Sequence, residues 1–155
     1  MAGRIDAKLA ELGITLPTPA APVANYVPFV RTGDLVVISG QLPLQDGKIA
    51  AIGKLGEGVS IEQGTAAARL AAINLIAHLK VACGGDLDRV QQVVRLGGFI
   101  AAPPSFTQHP AVMNGASDLA VAVFGDAGRH ARTTIGVPSL PLDAAIEVEG
   151  MFRIA

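Results

Sequence analysis

One long segment, residues 60–83, constrains the fold of this chain more than any other feature. Ser60 is a typical residue for the start of a helix, and Gly84-Gly85 is a typical stop. Between them, small and apolar residues recur with the 3.6-residue period of a helix and form one stripe, namely Ala68, Ala72, Leu75, Ile76, Leu79 and Cys83. A helix of this length has to bury such a stripe, and we expect it to pack on a β-sheet.

The rest of the chain reads as shorter strands and helices around this segment. Residues 26–39 predict a hairpin that turns at Thr32-Gly33-Asp34, and Gly97-Gly98 in a later strand suggests a bulge or the close approach of another backbone. The other predicted elements are a helix at 5–12, a short strand at 48–52, a loop at GKLGEG, a strand at 91–101, a helix from His109 to about Gly125, and two final strands. This order predicts an α+β fold, a mixed β-sheet with two main helices packed on one face.

Length and composition predict a single domain over residues 1–155 that associates with copies of itself. The chain is long enough to bury a core without disulfides or a metal. Only 16% of the residues are charged, against roughly 25% in an average soluble domain. Because so few charges would coat an isolated monomer poorly, we expect the free face of the sheet to meet another subunit, with sites at the subunit boundary.

Composition also disfavours several classes of function. A net charge of −1 gives no electrostatic reason to expect a nucleic-acid partner or an anionic membrane. The first residues alternate charged and apolar groups, unlike a secretory signal, and no stretch is long enough to span a bilayer. A single cysteine, Cys83, excludes an internal disulfide, and its place on the helical stripe predicts a buried small side chain. The expected location is the cytoplasm.

The three histidines do not form a metal motif, because none are paired at i,i+4 and no cysteines accompany them. We expect His78 at the surface or edge of the long helix and His109 at a helix start. His130, two residues before Arg132, is the histidine expected to reach a functional cleft. The glycines of GKLGEG lack the context of a phosphate-binding loop, so the sequence implies no nucleotide cofactor and no metal.

The last part of the chain, residues 130–155, places an arginine and a glutamate on two strand patterns joined by the turn PSLPLD. Arg132 lies on the face opposite Ile135, and Glu147 on the face opposite Val148. If these strands pair antiparallel with their apolar faces together, Arg132 lies opposite or diagonal to Glu147. Such a pair can hold a small acid and orient a water. From spacing alone, an exposed cross-strand ion pair worth about 0–1 kcal/mol is the favoured alternative.

Taken together, these motifs resemble the RidA/YjgF family, the reactive-intermediate (enamine/imine) deaminases, some of whose members carry the labels endoribonuclease L-PSP or translation inhibitor. The resemblance covers most of the chain. The motifs that carry it are Asn25-Tyr26, Ser39-Gly40-Gln41-Leu42-Pro43-Leu44, the Ala-rich helix, Ala131-Arg132, Ile135, Leu140-Pro141 and Ile146-Glu147. Departures from the usual tail indicate a divergent subgroup, and they occur at His130, Thr133, Pro138 and Val148.

This resemblance implies a fold like that of chorismate mutase without its activity, and a homotrimer with three clefts between subunits. It implies that Arg132 binds the substrate carboxylate and that Glu147 helps to place the attacking water. The implied reaction is the cofactor-free hydrolysis of a 2-imino acid to a 2-keto acid and ammonia. The cleft-lining positions matched by this sequence are Tyr26, Ser39, Gly40 and Asn114, with Thr134 where many members have cysteine.

Each lining residue also has a purely structural interpretation. Ser39 before a glycine is often a turn former, and Gly40 can serve only to permit a positive φ. Tyr26 in a strand is usually packed in a core, and Asn114 in a helix is as often solvated. Two rival functions remain open for the whole protein. One is an endoribonuclease or translation inhibitor, and the other is a non-catalytic protein that binds a carboxylate metabolite in the same cleft.

Overall fold

The computed structural model describes residues 2–19, 21 and 24–155, and these contain three α-helices and nine strands. Their bounds are α1 (Arg4–Glu11), β1 (Phe29–Thr32), β2 (Leu35–Gln41), β3 (Leu44–Gln45), β4 (Lys48–Ile49), β5 (Lys54–Leu55), β6 (Gly58–Val59), α2 (Ile61–Ala82), β7 (Val90–Ala101), α3 (His109–Phe124), β8 (Ala131–Val137) and β9 (Ile146–Ile154). Of these, α2 and α3 are the main helices. None of the helices described is both long and apolar enough to cross a membrane.

The main sheet has five strands in the order β1-β2-β9-β7-β8. β7 pairs with β8 in parallel, while the β1-β2, β2-β9 and β9-β7 pairs are antiparallel. Helices α2 and α3 cover one face, where the even-numbered residues of β9, such as Val148 and Phe152, are buried. The predicted α+β fold with a mixed sheet and two main helices on one face is therefore confirmed. The opposite side of the sheet, here called the open face, carries the odd-numbered residues of β9.

The long helix α2 begins where the sequence predicted. Ser60 Oγ accepts a hydrogen bond from the Gln63 backbone N–H at 3.1 Å, and Gln63 Oε1 accepts one from the Ser60 N–H at 2.9 Å. This reciprocal capping box satisfies two backbone donors that a helix start otherwise leaves unpaired. At the other end, Gly84 and Gly85 have φ values of 68° and 94°, which stop the helix at little cost because neither has a Cβ.

Helices α2 and α3 pack closely enough that one crossing position has no room for a side chain. A Cβ on Gly115 of α3 would overlap the backbone carbonyl oxygen of Thr65 in α2. Backbone atoms cannot move aside as the end of a flexible side chain can, so the glycine sets the separation of the two helices. This separation in turn places the face of α3 that lies over β8.

Two short predicted features differ from the structure. The strand predicted at 48–52 ends at Ile49, because β4 pairs only with the two residues of β3 across a turn at Asp46-Gly47, where both residues have positive φ. Ile52 forms only an isolated bridge to Ala144. The GKLGEG segment, predicted as a loop, contains β5 and the first residue of β6, and these two strands pair in parallel over two residues each.

Gly97-Gly98 in β7 serves a different purpose from the one predicted. The register irregularities of β7 fall earlier, between Val90 and Gln92 and between Val93 and Arg95, so the glycines form no bulge. The groups that approach them are side chains rather than another backbone, since a Cβ on Gly97 would meet Glu149 and one on Gly98 would meet Met113. The missing Cβ atoms let these side chains lie flat against the sheet.

The predicted pairing of the two final strands is wrong. β7 lies between β8 and β9, so the PSLPLD connection crosses from the edge of the sheet to its interior. The physical reason lies in β7, whose twelve residues are buried for most of their length, as expected of a strand with neighbours on both sides. β8 is largely exposed and forms an edge. Ile135, expected to share an apolar face with β9, lies on the open face and is 46% exposed.

Because no side chain fits between the helices at Gly115, we predict that Gly115→Ala lowers the free energy of unfolding by about 2–3 kcal/mol. Chemical denaturation in urea measures this loss. Ala122→Ser, at an exposed position of the same helix, is the matched control and should change stability by about 0.5 kcal/mol or less. Equal stability of Gly115→Ala and the control would contradict the close crossing of α2 and α3.

Candidate functional site

The predicted site residues fall into two separate groups in the chain. The first group, here called the glutamate half-site, consists of Tyr26, Ser39, Gly40 and Glu147. These residues line one groove of about 400 Å³ at the end of β2, together with part of the 141–142 turn and His78 of α2. The pairing of β2 with β9 shifts register between Ile38 and Gln41, so the strand is irregular at Ser39-Gly40. Such irregularities re-aim side chains, and here the groove opens beside them.

Glu147 lies on the open face of β9, and its carboxylate rests directly over Gly40. A Cβ on Gly40 would overlap Oε1 of Glu147, whereas the φ of Gly40 is not in the left-handed region. Close approach, not a positive φ, is therefore the reason for glycine at this position. Burial raises the pKa of Glu147, and the negative charge of Glu149 raises it further. A carboxylate with a raised pKa is a stronger base than an ordinary one, so it accepts a proton more readily.

Glu149 is held in place beside Glu147 by an ion pair. Its Oε1 lies 3.2 Å from Nη1 of Arg95, and the side chain crosses β7 at Gly97, where there is no Cβ. Both partners of this pair are more than a third exposed, so we assign it only a small contribution to stability. Its consequence for the site is positional, since it fixes a second carboxylate near the first.

Ser39 and Tyr26 are joined through the loop that precedes β1. Ser39 Oγ donates to the Val27 carbonyl oxygen at 2.8 Å, and the Ser39 backbone N–H donates to the Pro28 carbonyl oxygen at 2.9 Å. The hydroxyl hydrogen thus holds this loop, which carries Tyr26. Tyr26 is 56% exposed and is not packed in the core, so the core-packing interpretation fails.

The second group, here called the arginine half-site, consists of Arg132, Thr134 and Asn114. Arg132 lies on the edge strand β8 and points to the helix side of the sheet. Its Nη1 donates to Asn114 Oδ1 at 2.8 Å and to Ser117 Oγ at 3.2 Å. Asn114 therefore makes a contact beyond its own helix rather than being merely solvated. Thr134 Oγ1 is buried without a hydrogen-bond partner among the described residues.

Ser117 is the site residue that the sequence analysis missed. It contacts both Arg132 and His130, whose Nε2 lies 2.9 Å from Ser117 Oγ. The other ring nitrogen of His130, Nδ1, lies 2.6 Å from the Gly128 carbonyl oxygen. The spacing of Asn114 and Ser117 was an available signal, because residues three apart in a helix share a face.

The remaining histidines and the cysteine occupy structural positions. The expectation that His78 lies at the surface or edge of the helix is wrong, since His78 is 6% exposed and burial lowers its pKa. It is buried because α2 packs against β1, β2 and β3 on this side. His109 begins α3 as predicted and contacts Phe106 edge-on. Cys83 is buried, as predicted, and burial raises the pKa of its thiol.

The two half-sites of one chain face away from each other. Arg132 and Gly150 both pair with Leu96 of β7, so they lie at the same level of the sheet. Glu147 comes three residues before Gly150 in β9. Two strand spacings and three residues correspond to roughly 14 Å between the Cα atoms of Arg132 and Glu147. Arg132 also points to the helix side and Glu147 to the open face. The predicted opposite or diagonal contact is wrong, and so is the alternative of a cross-strand ion pair.

Comparison with known proteins identifies the family of this fold and site. The family model described as "YjgF/chorismate_mutase-like, putative endoribonuclease" matches residues 6–152. The chain belongs to the RidA/YjgF family. The resemblance inferred from the strand-end and tail motifs is thereby confirmed.

Individual family members agree with this assignment. Protein TCP17 of Trypanosoma cruzi is 46% identical over 153 residues, covering 98% of this chain and 95% of its own. A Shewanella oneidensis MR-1 protein, described as "a putative endoribonuclease", is 38% identical to this chain. Its crystal structure superposes with a TM-score of 0.94 over 98% of this chain and 100% of its own. The structure of Escherichia coli TdcF with bound serine shares the fold, with 24% identity and a TM-score of 0.64 over 89% of this chain and 94% of its own.

The charge of Glu149 provides a direct test of the electrostatics in the glutamate half-site. We predict that Glu149→Gln moves the pKa of Glu147 downward, toward the ordinary range, because one of the two causes of its upward shift is removed. Carboxyl-carbon NMR titration measures this pKa. Glu62→Gln, on an exposed position of α2, is the control and should leave the titration unchanged. An unaltered pKa of Glu147 in Glu149→Gln would refute the electrostatic coupling.

Proposed function

We propose that this protein is a cofactor-free deaminase that hydrolyses small 2-imino acids to 2-keto acids and ammonia. The reaction takes place in clefts of a homotrimer, where the arginine half-site of one protomer faces the glutamate half-site of the next. The observation that carries the proposal is the division of the site within one chain. One half holds a fixed guanidinium and the other holds a carboxyl group with a raised pKa, and each lacks what the other has.

Several features of the sheet support the association of protomers. β8 is an edge strand, and the open face exposes large apolar side chains at Val30, Val94 and Ile135. Together with the low content of charged residues, these side chains make the open face suited to contact with another subunit. A contact between two different half-sites is heterologous, and such contacts form a closed ring when the rotation between protomers closes. The family resemblance gives the ring three members.

Arg132 supplies the binding of the substrate carboxylate. A guanidinium stays charged at all relevant pH values and presents a planar fork that binds a carboxylate through two hydrogen bonds. Binding the carboxylate this way places the adjacent C=N carbon opposite the other wall of the cleft. The serine bound to TdcF is likewise a small molecule with a carboxylate.

Glu147 supplies the proton transfers. The substrate enters as the protonated imine, C=NH2+. In its ionised form Glu147 takes one proton from water while the water oxygen bonds to the C=N carbon, giving a neutral carbinolamine. The carboxyl group then gives this proton to the amino nitrogen, and as the C–N bond breaks the carboxylate takes the hydroxyl proton, so the carbonyl group forms. That proton leaves with the ammonia as ammonium, and Glu147 regains its ionised state. The raised pKa makes Glu147 a stronger base for accepting these protons.

An endoribonuclease is the second candidate, because the matching family model carries that description. Acid-base cleavage of RNA generally uses two groups that exchange protons with the substrate. Both ring nitrogens of His130, the histidine nearest Arg132, already bond to Ser117 and Gly128. The formal charge of −1 likewise favours a small substrate over RNA.

The test generates 2-iminopropionate in situ from alanine with an amino acid oxidase and measures the rate of keto-acid release. We predict that the wild-type protein accelerates release. Arg132→Ala should lower kcat/KM about 100-fold because carboxylate positioning is lost. Glu147→Gln should lower kcat about 100-fold or more because the proton acceptor is lost.

Arg129→Ala is the matched control, because Arg129 lies in the same region but is exposed and pairs only with Asp126 at 3.7 Å. It should retain wild-type rates. Wild-type protein that binds keto acids without accelerating their formation would indicate a binding protein instead. RNA cleavage that disappears in Glu147→Gln, with no effect on imine hydrolysis, would indicate the endoribonuclease.

A further inference from the structure

We propose that His130, acting through Ser117, is a positioning residue that holds the Arg132 guanidinium in the orientation that receives the substrate carboxylate. This inference rests on the proposed function, since it assigns the orientation of the arginine that binds substrate there. It adds two residues to the site, Ser117 and His130, neither of which would touch the substrate. Their contacts form a chain from the Gly128 backbone through His130 and Ser117 to Arg132.

The directions of the hydrogen bonds between Gly128 and Arg132 follow from the first of them, the contact of His130 with the Gly128 carbonyl oxygen. The Gly128 carbonyl oxygen can only accept, so the Nδ1 atom of His130 carries the hydrogen that fills this 2.6 Å contact. In a neutral imidazole the other nitrogen, Nε2, is then an acceptor. Ser117 Oγ, 2.9 Å away, donates its only hydrogen to Nε2. The lone pairs of Ser117 Oγ are left to accept from Arg132.

This polarity determines which part of the guanidinium remains available. Nη1 of Arg132 carries two hydrogens, and they go to Asn114 Oδ1 and Ser117 Oγ. Nε and Nη2 of Arg132 make no hydrogen bond to any of the described residues. Their hydrogens lie along one side of the planar group and match the two oxygens of a carboxylate. Helix α3 therefore occupies one end of the guanidinium and leaves the Nε/Nη2 side for ligand.

The Gly128 backbone, where this series of hydrogen bonds begins, is itself held rigidly. A Cβ on Gly128 would overlap the backbone carbonyl oxygen of Ala120 in α3, so Gly128 lies tightly against that helix. The Gln92 side chain donates to the Arg129 carbonyl oxygen, which ties the same segment to β7. His130 thus starts from a backbone held by both a helix and a strand, and its ring has two bonded nitrogens.

Such pre-organisation matters because an arginine on an edge strand otherwise samples many rotamers. Ordering a long, flexible side chain when the ligand binds reduces affinity, and ordering it in advance avoids that loss. The interaction with the carboxylate is made equally in the bound substrate and in the transition state. A looser Arg132 should therefore weaken binding and raise KM, while kcat changes little.

The experiment compares Ser117→Ala, His130→Leu, the double variant and His130→Gln in the imine assay and in equilibrium binding of 2-oxobutanoate. We expect Ser117→Ala to raise KM and the keto-acid Kd about three- to tenfold, as for loss of one hydrogen bond, with kcat within about twofold. His130→Leu should raise both constants less, and the double variant should be no worse than Ser117→Ala, since the two residues act in series. The amide oxygen of His130→Gln can replace Nε2 as acceptor and should restore near-wild-type values.

Ser105→Ala, an exposed serine outside both half-sites, is the matched control. A variant that merely folds poorly would lose kcat at constant KM and would lower the melting temperature, and that result would overturn the inference. Unchanged KM and Kd in Ser117→Ala and His130→Leu, or additive effects in the double variant, would overturn it as well. If wild type binds 2-oxobutanoate but does not hydrolyse imines, the proposed function fails, and the Kd values alone decide the positioning role.

Discussion

The parallel pairing of β7 with β8 is the constraint on which the arrangement of the site depends. Because β7 takes a partner on each side, it keeps β8 at the edge of the sheet and separates it from β9. Arg132 and Glu147 are then two strands apart and on opposite faces. Neither can serve the other within one protomer, although the two strands that carry them are consecutive in sequence. Under the proposed function, the two half-sites can act together only between protomers, so a change that disturbs the open face is expected to affect activity.

Glycines determine how the polar side chains lie on this sheet. Gly40 and Gly97 have no Cβ where Glu147 and Glu149 cross neighbouring strands, so both side chains lie directly against the backbone of those strands. Burial of one carboxylate beside another favours its protonated form. On the far side of the sheet, α3 holds Arg132 through Asn114 and Ser117. The two half-sites are thus tuned by different means, one by desolvation and the other by hydrogen bonds.

The elements that the sequence predicted well are those with strong local signals. Helix α2 has a capping box and two terminal glycines, and α3 has proline near its start, so their ends agree with the structure. The alternation of β9 is equally clear, because one of its faces is buried and the other is not. The tail motifs also led to the correct family.

What the sequence could not supply were non-local relations. The antiparallel pairing expected for the two final strands rested on their adjacency, and only the burial of β7 between them excludes it. Ser117 was missed because its partners, His130 and Arg132, come from the following loop and strand. His78 looked like a surface residue because the local pattern does not reveal that β1, β2 and β3 pack against α2.

Subunit complementation tests the central claim, that the two half-sites of different protomers form one site, most directly. Arg132→Ala and Glu147→Gln, each inactive alone, are mixed, unfolded and refolded together in equal amounts. In a ring with one arginine and one glutamate from adjacent protomers at each site, random assembly restores about one quarter of the sites and of the wild-type activity. Mixed assemblies that stay as inactive as either variant would show that Arg132 and Glu147 do not act together across subunits.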